Sequence, residues 1–146
     1  GKAEKSAGTG TDLCRICQAL EAVGCEVNRE ILKKEDGFTL QDRILDRLQK
    51  EDLQMVFLCN PNNPTGILMN PKLLRQIVTL CEKRQIHLVV DECFLDFMEE
   101  PGRYTLKAQL SRYHNLFLLK AFTNVTRWRE SDWDMVLLRI RNFLMR

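Results

Sequence analysis

At 146 residues, 45% hydrophobic and 29% charged, the chain has room for one globular domain with a real core. Its formal charge of +2 is no signal for a nucleic-acid partner, and no apolar run approaches the ~20 residues that a membrane helix needs. Gly1-Lys2-Ala3-Glu4-Lys5 leads into small polar residues, so no signal peptide is expected.

Residues 1–17 show no clear period. Gln18 to Val23 is predicted to end a helix, with Gly24 as its stop. Cys25 to Leu32 alternates and predicts a strand, and Lys33 to Gly37 a charged turn. Thr39 with Asp42 three residues on is close to a capping box. Leu40, Ile44, Leu45 and Leu48 follow at helical spacing. Met55 to Cys59 is a short buried strand. Asn70 then caps a second helix that Pro71 opens. Leu73, Leu74, Ile77, Val78 and Cys81 form its inward stripe, and Glu82-Lys83-Arg84 closes it. His87 to Val90 is another strand, Leu106 to Tyr113 a short helix, and Leu116 to Phe122 a further strand. Strands and helices alternating through short connections predict an α/β fold: part of a three-layer αβα arrangement with a mostly parallel sheet covered on both faces.

The six cysteines are Cys14, Cys17, Cys25, Cys59, Cys81 and Cys93. Four lie in apolar or strand-like surroundings, as reduced buried thiols do, which fits a reducing cytosol. Cys14-Arg15-Ile16-Cys17 has CxxC spacing, but zinc needs a second pair of ligands, so no metal site is expected.

The chemistry gathers where two apolar runs end. Leu58-Cys59 passes straight into Asn60-Pro61-Asn62-Asn63-Pro64-Thr65-Gly66, and His87 to Val90 into Asp91-Glu92-Cys93-Phe94. In an open parallel sheet ligands sit at the carboxyl ends of the strands, so an amide-rich loop and a carboxylate are brought to one edge. The prolines fix the shape of the loop and hold its amides in place, and an X-Pro bond there can be cis. Asp91 at a strand end can hold a positive charge on a ligand or act as a base. Taken on motif shape alone, a plain turn and a plain helix cap account for the two segments equally well.

Asn60 to Gly66 together with Asp91 to Phe97 resembles the signature of the fold-type-I pyridoxal-phosphate enzymes, the aspartate aminotransferase superfamily. Within it the pattern is most similar to the threonine-phosphate decarboxylase and histidinol-phosphate aminotransferase branch. The resemblance covers about residues 18–123 and implies pyridoxal 5′-phosphate as cofactor. It implies that Asn63 donates to the 3′ oxygen of the cofactor and that Asp91 keeps the pyridine nitrogen protonated, which makes the ring an electron sink. Phe94 stands where many aminotransferases carry a tyrosine and cannot donate to that oxygen, a feature similar to the decarboxylase branch. Thr123 matches the turn that precedes the Schiff-base lysine. The lysine position itself holds Asn124, and an amide cannot form an imine, so the chain as written is expected to be inactive. Lys120, four residues back, is a poor substitute.

The genetic code offers a reason for Asn124. When the last base of each codon is taken with the first two of the next, Asp132–Trp133 must give Leu, and Trp133–Asp134 must give Gly. Asp134–Met135 then gives Tyr or His, and Met135–Val136 Gly. Leu-Gly-Tyr-Gly is what the resemblance expects at that point. With free codon choice upstream, the run from Thr123 rereads as T-K-R-Y-A-M-A-G-I-R-L-G-Y-G, and a single lost base accounts for it. In the opposite shift, residues 5–17 reread as K-A-L-V-P-A-P-T-F-A-E-Y-A, a strand and turn similar to the family's. Residues 1–17 and 124–146 are therefore expected to be frameshifted. The CxxC pair then becomes an artefact of translation, and so does the tail's basic patch around Arg127, Arg129 and Trp128.

The sequence thus predicts residues 1–146 to be an interior fragment of a cofactor-binding large domain, with the small domain absent. The resemblance implies a cytoplasmic homodimer acting on an amino-acid-type substrate, with no nucleic-acid or membrane partner. Threonine phosphate, leading to the aminopropanol arm of cobalamin, is the first expectation, and histidinol phosphate the second. Two other classes remain: a catalytically dead relative that binds through the same site, and a stand-alone flavodoxin-like binding domain. The second of these needs a Gly-rich phosphate loop after its first strand, and none is present.

Overall fold

A computed structural model describes residues 18, 19, 21, 22, 24, 26, 27, 30 and 32–120. Gln18, Ala19, Glu21 and Ala22 are helical, and Gly24 stops that segment at φ +84°, its N–H donating to the Glu21 carbonyl at 3.0 Å. A left-handed stop of this kind suits glycine, which lacks the Cβ that opposes positive φ.

Four elements then build the core. Helix α1 spans Arg43–Lys50, strand β1 Met55–Cys59, helix α2 Pro71–Arg84 and strand β2 His87–Asp91. A one-turn helix, α3, follows at Pro101–Tyr104, and strand β3 occupies Leu116–Leu119. The sheet is parallel in the order β1-β2-β3, with Met55 opposite His87 and Leu88 opposite Leu116. Alternation along the strands sorts the side chains. Val56, Leu58, Leu88, Val90, Leu116 and Leu118 join one apolar cluster with Ile44 and Leu48 of α1 and with the α2 stripe. His87, Val89 and Phe117 belong to the opposite face, where the His87 and Phe117 rings lie 5.7 Å apart.

Helix α2 shows why these residues form this element. The Asn70 side chain accepts the Lys72 N–H at 2.8 Å, Pro71 takes the first helical position, and Leu73, Leu74, Ile77, Val78 and Cys81 are all buried. Its end departs from the usual glycine. Gln85 adopts the left-handed conformation at φ +57°, which lets Ile86 turn into the core with its N–H on the Cys81 carbonyl at 2.8 Å.

Several sequence expectations fail for local reasons. Glu26, Val27, Glu30 and Leu32 lie outside any strand. Alternation alone does not make a strand without a partner ladder, and side chains hold this segment instead. Glu30 pairs with Arg43 at 3.1 Å and with Arg47 at 2.7 Å. The expected capping box at Thr39 does not form, because the Thr39 hydroxyl donates back to the Asp36 carbonyl at 2.6 Å. The helix expected over Leu106 to Tyr113 is a 3-10 turn at Lys107–Gln109 followed by further turns. Leu106 is buried but Leu110 is 43% exposed, so no common inward face exists to stabilise a longer helix. Strand β2 runs one residue further than expected, to Asp91. Strand β3 ends at Leu119, and residues 121–122 of the expected strand lie outside the described residues.

Candidate functional site

The register aligns the three strand ends in one row: Cys59 opposite Asp91, and Asp91 opposite Leu119. One step beyond, the main chain still pairs. The Asn60 N–H donates to the Asp91 carbonyl at 2.8 Å, and the Glu92 N–H to the Leu119 carbonyl at 2.9 Å. Asn60 and Glu92 are the two buried polar side chains among the described residues, both with no exposure. Sequence reasoning gave neither a structural role. The one available signal was a polar residue placed directly after an apolar strand.

Asn60 shapes the loop. Its side-chain oxygen accepts the Met69 N–H at 2.9 Å, joining the loop's exit to its entry. Inside, the Asn62 amide donates to the Thr65 hydroxyl at 2.7 Å, and the Gly66 N–H to the Asn62 carbonyl at 2.7 Å, with Gly66 at φ +69°. The Asn60-Pro61 and Asn63-Pro64 bonds are both cis. Asn63 sits half-buried, and its side-chain amide has no hydrogen-bond partner among the described residues.

Asp91 ends β2, half-buried, with one carboxyl oxygen accepting the Cys93 N–H at 2.9 Å. That contact closes a local turn and is not the expected helix cap, since the next helical turn, Leu95–Phe97, follows Phe94 with no side-chain cap. The other oxygen has no hydrogen-bond partner among the described residues. A carboxylate with one oxygen tied down and one open can receive a charged N–H from a ligand. Phe94 follows at 42% exposure and Phe97 at 65%, which leaves apolar rings beside this edge.

The third strand contributes a cation. The Lys120 ammonium lies 2.9 Å from Asp96 and 3.3 Å from Glu92. Burial opposes its charge, but the Asp96 hydrogen bond and the attraction of Glu92 outweigh burial and hold the group above the usual lysine range. Glu92 in turn accepts the Thr105 hydroxyl at 2.7 Å and the Leu106 N–H at 2.8 Å. Cys81, on the inner face of α2, has its thiol pushed up to about 12 by burial, which keeps it protonated and inert. Asn63, Asp91 and Phe94 thus follow the ends of adjacent strands, whereas Thr123 and Asn124 lie outside the described residues. Among the described residues no helix is long and apolar enough to cross a membrane.

Comparison with known proteins bears on the same stretch. The family model for aminotransferase class I and II matches residues 16–124. The threonine-phosphate decarboxylase of Salmonella typhimurium is 46% identical over 81 residues, which is 56% of this chain and 22% of that protein. The histidinol-phosphate aminotransferase of Limosilactobacillus fermentum is 34% identical over 73 residues, 50% of this chain and 20% of that one. Among solved structures, the histidinol-phosphate aminotransferase from Clostridium acetobutylicum superposes with a TM-score of 0.64 at 24% identity. The superposition covers 75% of this chain and 31% of that one, a likeness of fold. The chain spans about a fifth of the length of the curated relatives it matches.

Proposed function

The chain belongs to the aminotransferase class I and II family, and from that premise we propose that it carries part of the active site of a pyridoxal-phosphate enzyme acting on a phosphorylated amino acid or amino alcohol. The first choice is decarboxylation of threonine phosphate, which supplies the aminopropanol arm of cobalamin. The observation that carries it is the 46% identity to the Salmonella threonine-phosphate decarboxylase, well above the identity to the histidinol-phosphate aminotransferases.

The donor set suits pyridoxal phosphate. When bound, that cofactor supplies an aldehyde for the substrate amine and a ring that withdraws electrons. The oxygen of Asp91 left open among the described residues would hold a proton on the ring nitrogen, and the Asn63 amide would donate to the ring's 3′ oxygen. Phe94, with no hydroxyl, leaves that second donation to Asn63 and offers an apolar surface. Thr123 matches in sequence the residue that precedes the lysine in the family's pattern. Asn124 brings no amine there, so the chain as written does not turn over. We take residues 124–146 to be out of frame, with a lysine restored at 124 in the intact enzyme, itself a homodimer of this large domain plus a small one.

A transaminase acting on histidinol phosphate is the second reading, favoured by several relatives of that name. One experiment separates the possibilities. The nucleotides of codons 116–146 and their flanks are read again, and the protein encoded by the resulting frame is offered each substrate. Carbon dioxide from threonine phosphate supports the first reading, and amino transfer from histidinol phosphate supports the second. An unchanged Asn124 codon in a frame that closes at Arg146 overturns both and leaves a non-catalytic binding protein.

A further inference from the structure

Glu92 and Lys120 stand one step past the end of the β2–β3 ladder, in the same register as Asp91 and Leu119. We propose that Lys120 is a positioning residue: seated between Glu92 and Asp96, its ammonium cross-links the end of β3 to the turn after β2. It thereby fixes where Asp91 stands relative to the end of β3. The importance given to Asp91 and position 124 rests on the cofactor reading above; the cross-link itself does not.

Three observations carry the proposal. Glu92 has no exposure, yet both of its oxygens are engaged: one by the Leu106 N–H at 2.8 Å, the other by the Thr105 hydroxyl at 2.7 Å and Lys120 at 3.3 Å. A carboxylate so placed needs a counter-charge, and Lys120 is the cation that reaches it among the described residues. Asp96 lies on the 3-10 turn Leu95–Phe97, so the same ammonium also grips the segment just past Phe94. Among the described residues the bond from the Glu92 N–H to the Leu119 carbonyl is the last main-chain link between the two strand ends, and the Lys120 ion pairs add a side-chain link beside it. An ammonium shared by two carboxylates has no free electron pair for an aldehyde. Lys120 therefore does not stand in for the amine that position 124 lacks.

Amide hydrogen exchange of the full chain, read by mass spectrometry without cofactor, tests this. Lys120→Met is expected to speed exchange about tenfold in segments 88–93 and 116–120 and to leave α2 unchanged, because local opening is set by local contacts. Lys120→Arg is expected to restore protection. Equal acceleration in α2 would reduce Lys120 to a general stabiliser, and no acceleration would remove it altogether; either overturns the proposal. Should Lys120→Met fail to fold, Asp96→Asn removes only the exposed carboxylate and is expected to give about threefold faster exchange in the same two segments. Unchanged exchange in that variant also overturns the proposal. The measurement uses no pyridoxal phosphate, so its failure is distinct from failure of the cofactor reading.

Discussion

The N–H of Asn60 donates to the carbonyl of Asp91 at 2.8 Å, while the side chain of the same Asn60 receives the Met69 N–H at 2.9 Å. A single buried residue therefore binds both ends of the Asn/Pro loop to the strand that carries the acid. Asn60→Ala keeps the first bond and strands the Met69 N–H. We expect a loss of about 1–3 kcal/mol in urea unfolding. Asn60→Asp keeps an acceptor but buries a charge without a cation, and is expected to lose more. An Asn60→Ala midpoint equal to that of the parent would show that the loop holds itself.

Glu92 supports the next layer. Glu92→Ala frees the Leu106 N–H, the Thr105 hydroxyl and the inner side of Lys120 together. Removing one partner of a buried ion pair costs roughly 3 kcal/mol or more. Glu92→Gln keeps an acceptor for the Leu106 N–H and is expected to lose clearly less. Equal losses in the two variants, measured by denaturant midpoint, would mean that the backbone contact carries nothing.

Acid stability follows from carboxylates held by hydrogen bonds. The Arg47 hydrogen bonds lower Glu30 and Glu51, and the Asn115 N–H lowers Glu82. A carboxylate lowered in the folded state contributes stability that is present above its unfolded value of ~4.3 and is lost as pH falls through the folded one. The melting temperature is thus expected to drop below about pH 4, and Glu30→Gln to flatten that drop. Lys120 works in the opposite sense. Raised in the folded state, it contributes fully below its unfolded value of ~10.4, and that part is lost as pH rises through the folded value. A profile flat from pH 5 down to pH 2 would contradict the acid limb.

With pyridoxal phosphate the 146-residue chain is expected to show no new long-wavelength absorbance, because an amide stands at Asn124. Asn124→Lys alone is not expected to restore it, since Val125-Thr126-Arg127 lacks the family's continuation. A borohydride-reducible adduct at position 124 of that variant would sink this expectation.

What could be read from the sequence follows physical lines. Helix α2 was legible in full because cap, proline and period agreed on the same residues. Strands β1 and β2 announced themselves as apolar runs ending on polar residues, and that alone put Asn63 and Asp91 at one edge. The segment from Cys25 to Leu32 misled because alternation was present without a neighbour to pair with. Pro101-Gly102 reads as a turn, and the one-turn helix it opens has no buried residue to reveal it. The burial of Asn60 and Glu92 was hidden because their partners at 104–106 lie far along the chain and become neighbours only once the sheet has formed.

Gln85 closes α2 at φ +57°, just before His87 opens β2 and so away from the carboxyl ends of the strands. A residue with a side chain gives up roughly 1 kcal/mol to sit there. A substitution at this spot can therefore tune stability. Glycine would raise the tolerance of the whole core, which leans on α2, without altering any group at the edge where Asn63 and Asp91 sit. An engineer who needs to absorb a harmful change near Asp91 can compensate from the far side of the molecule.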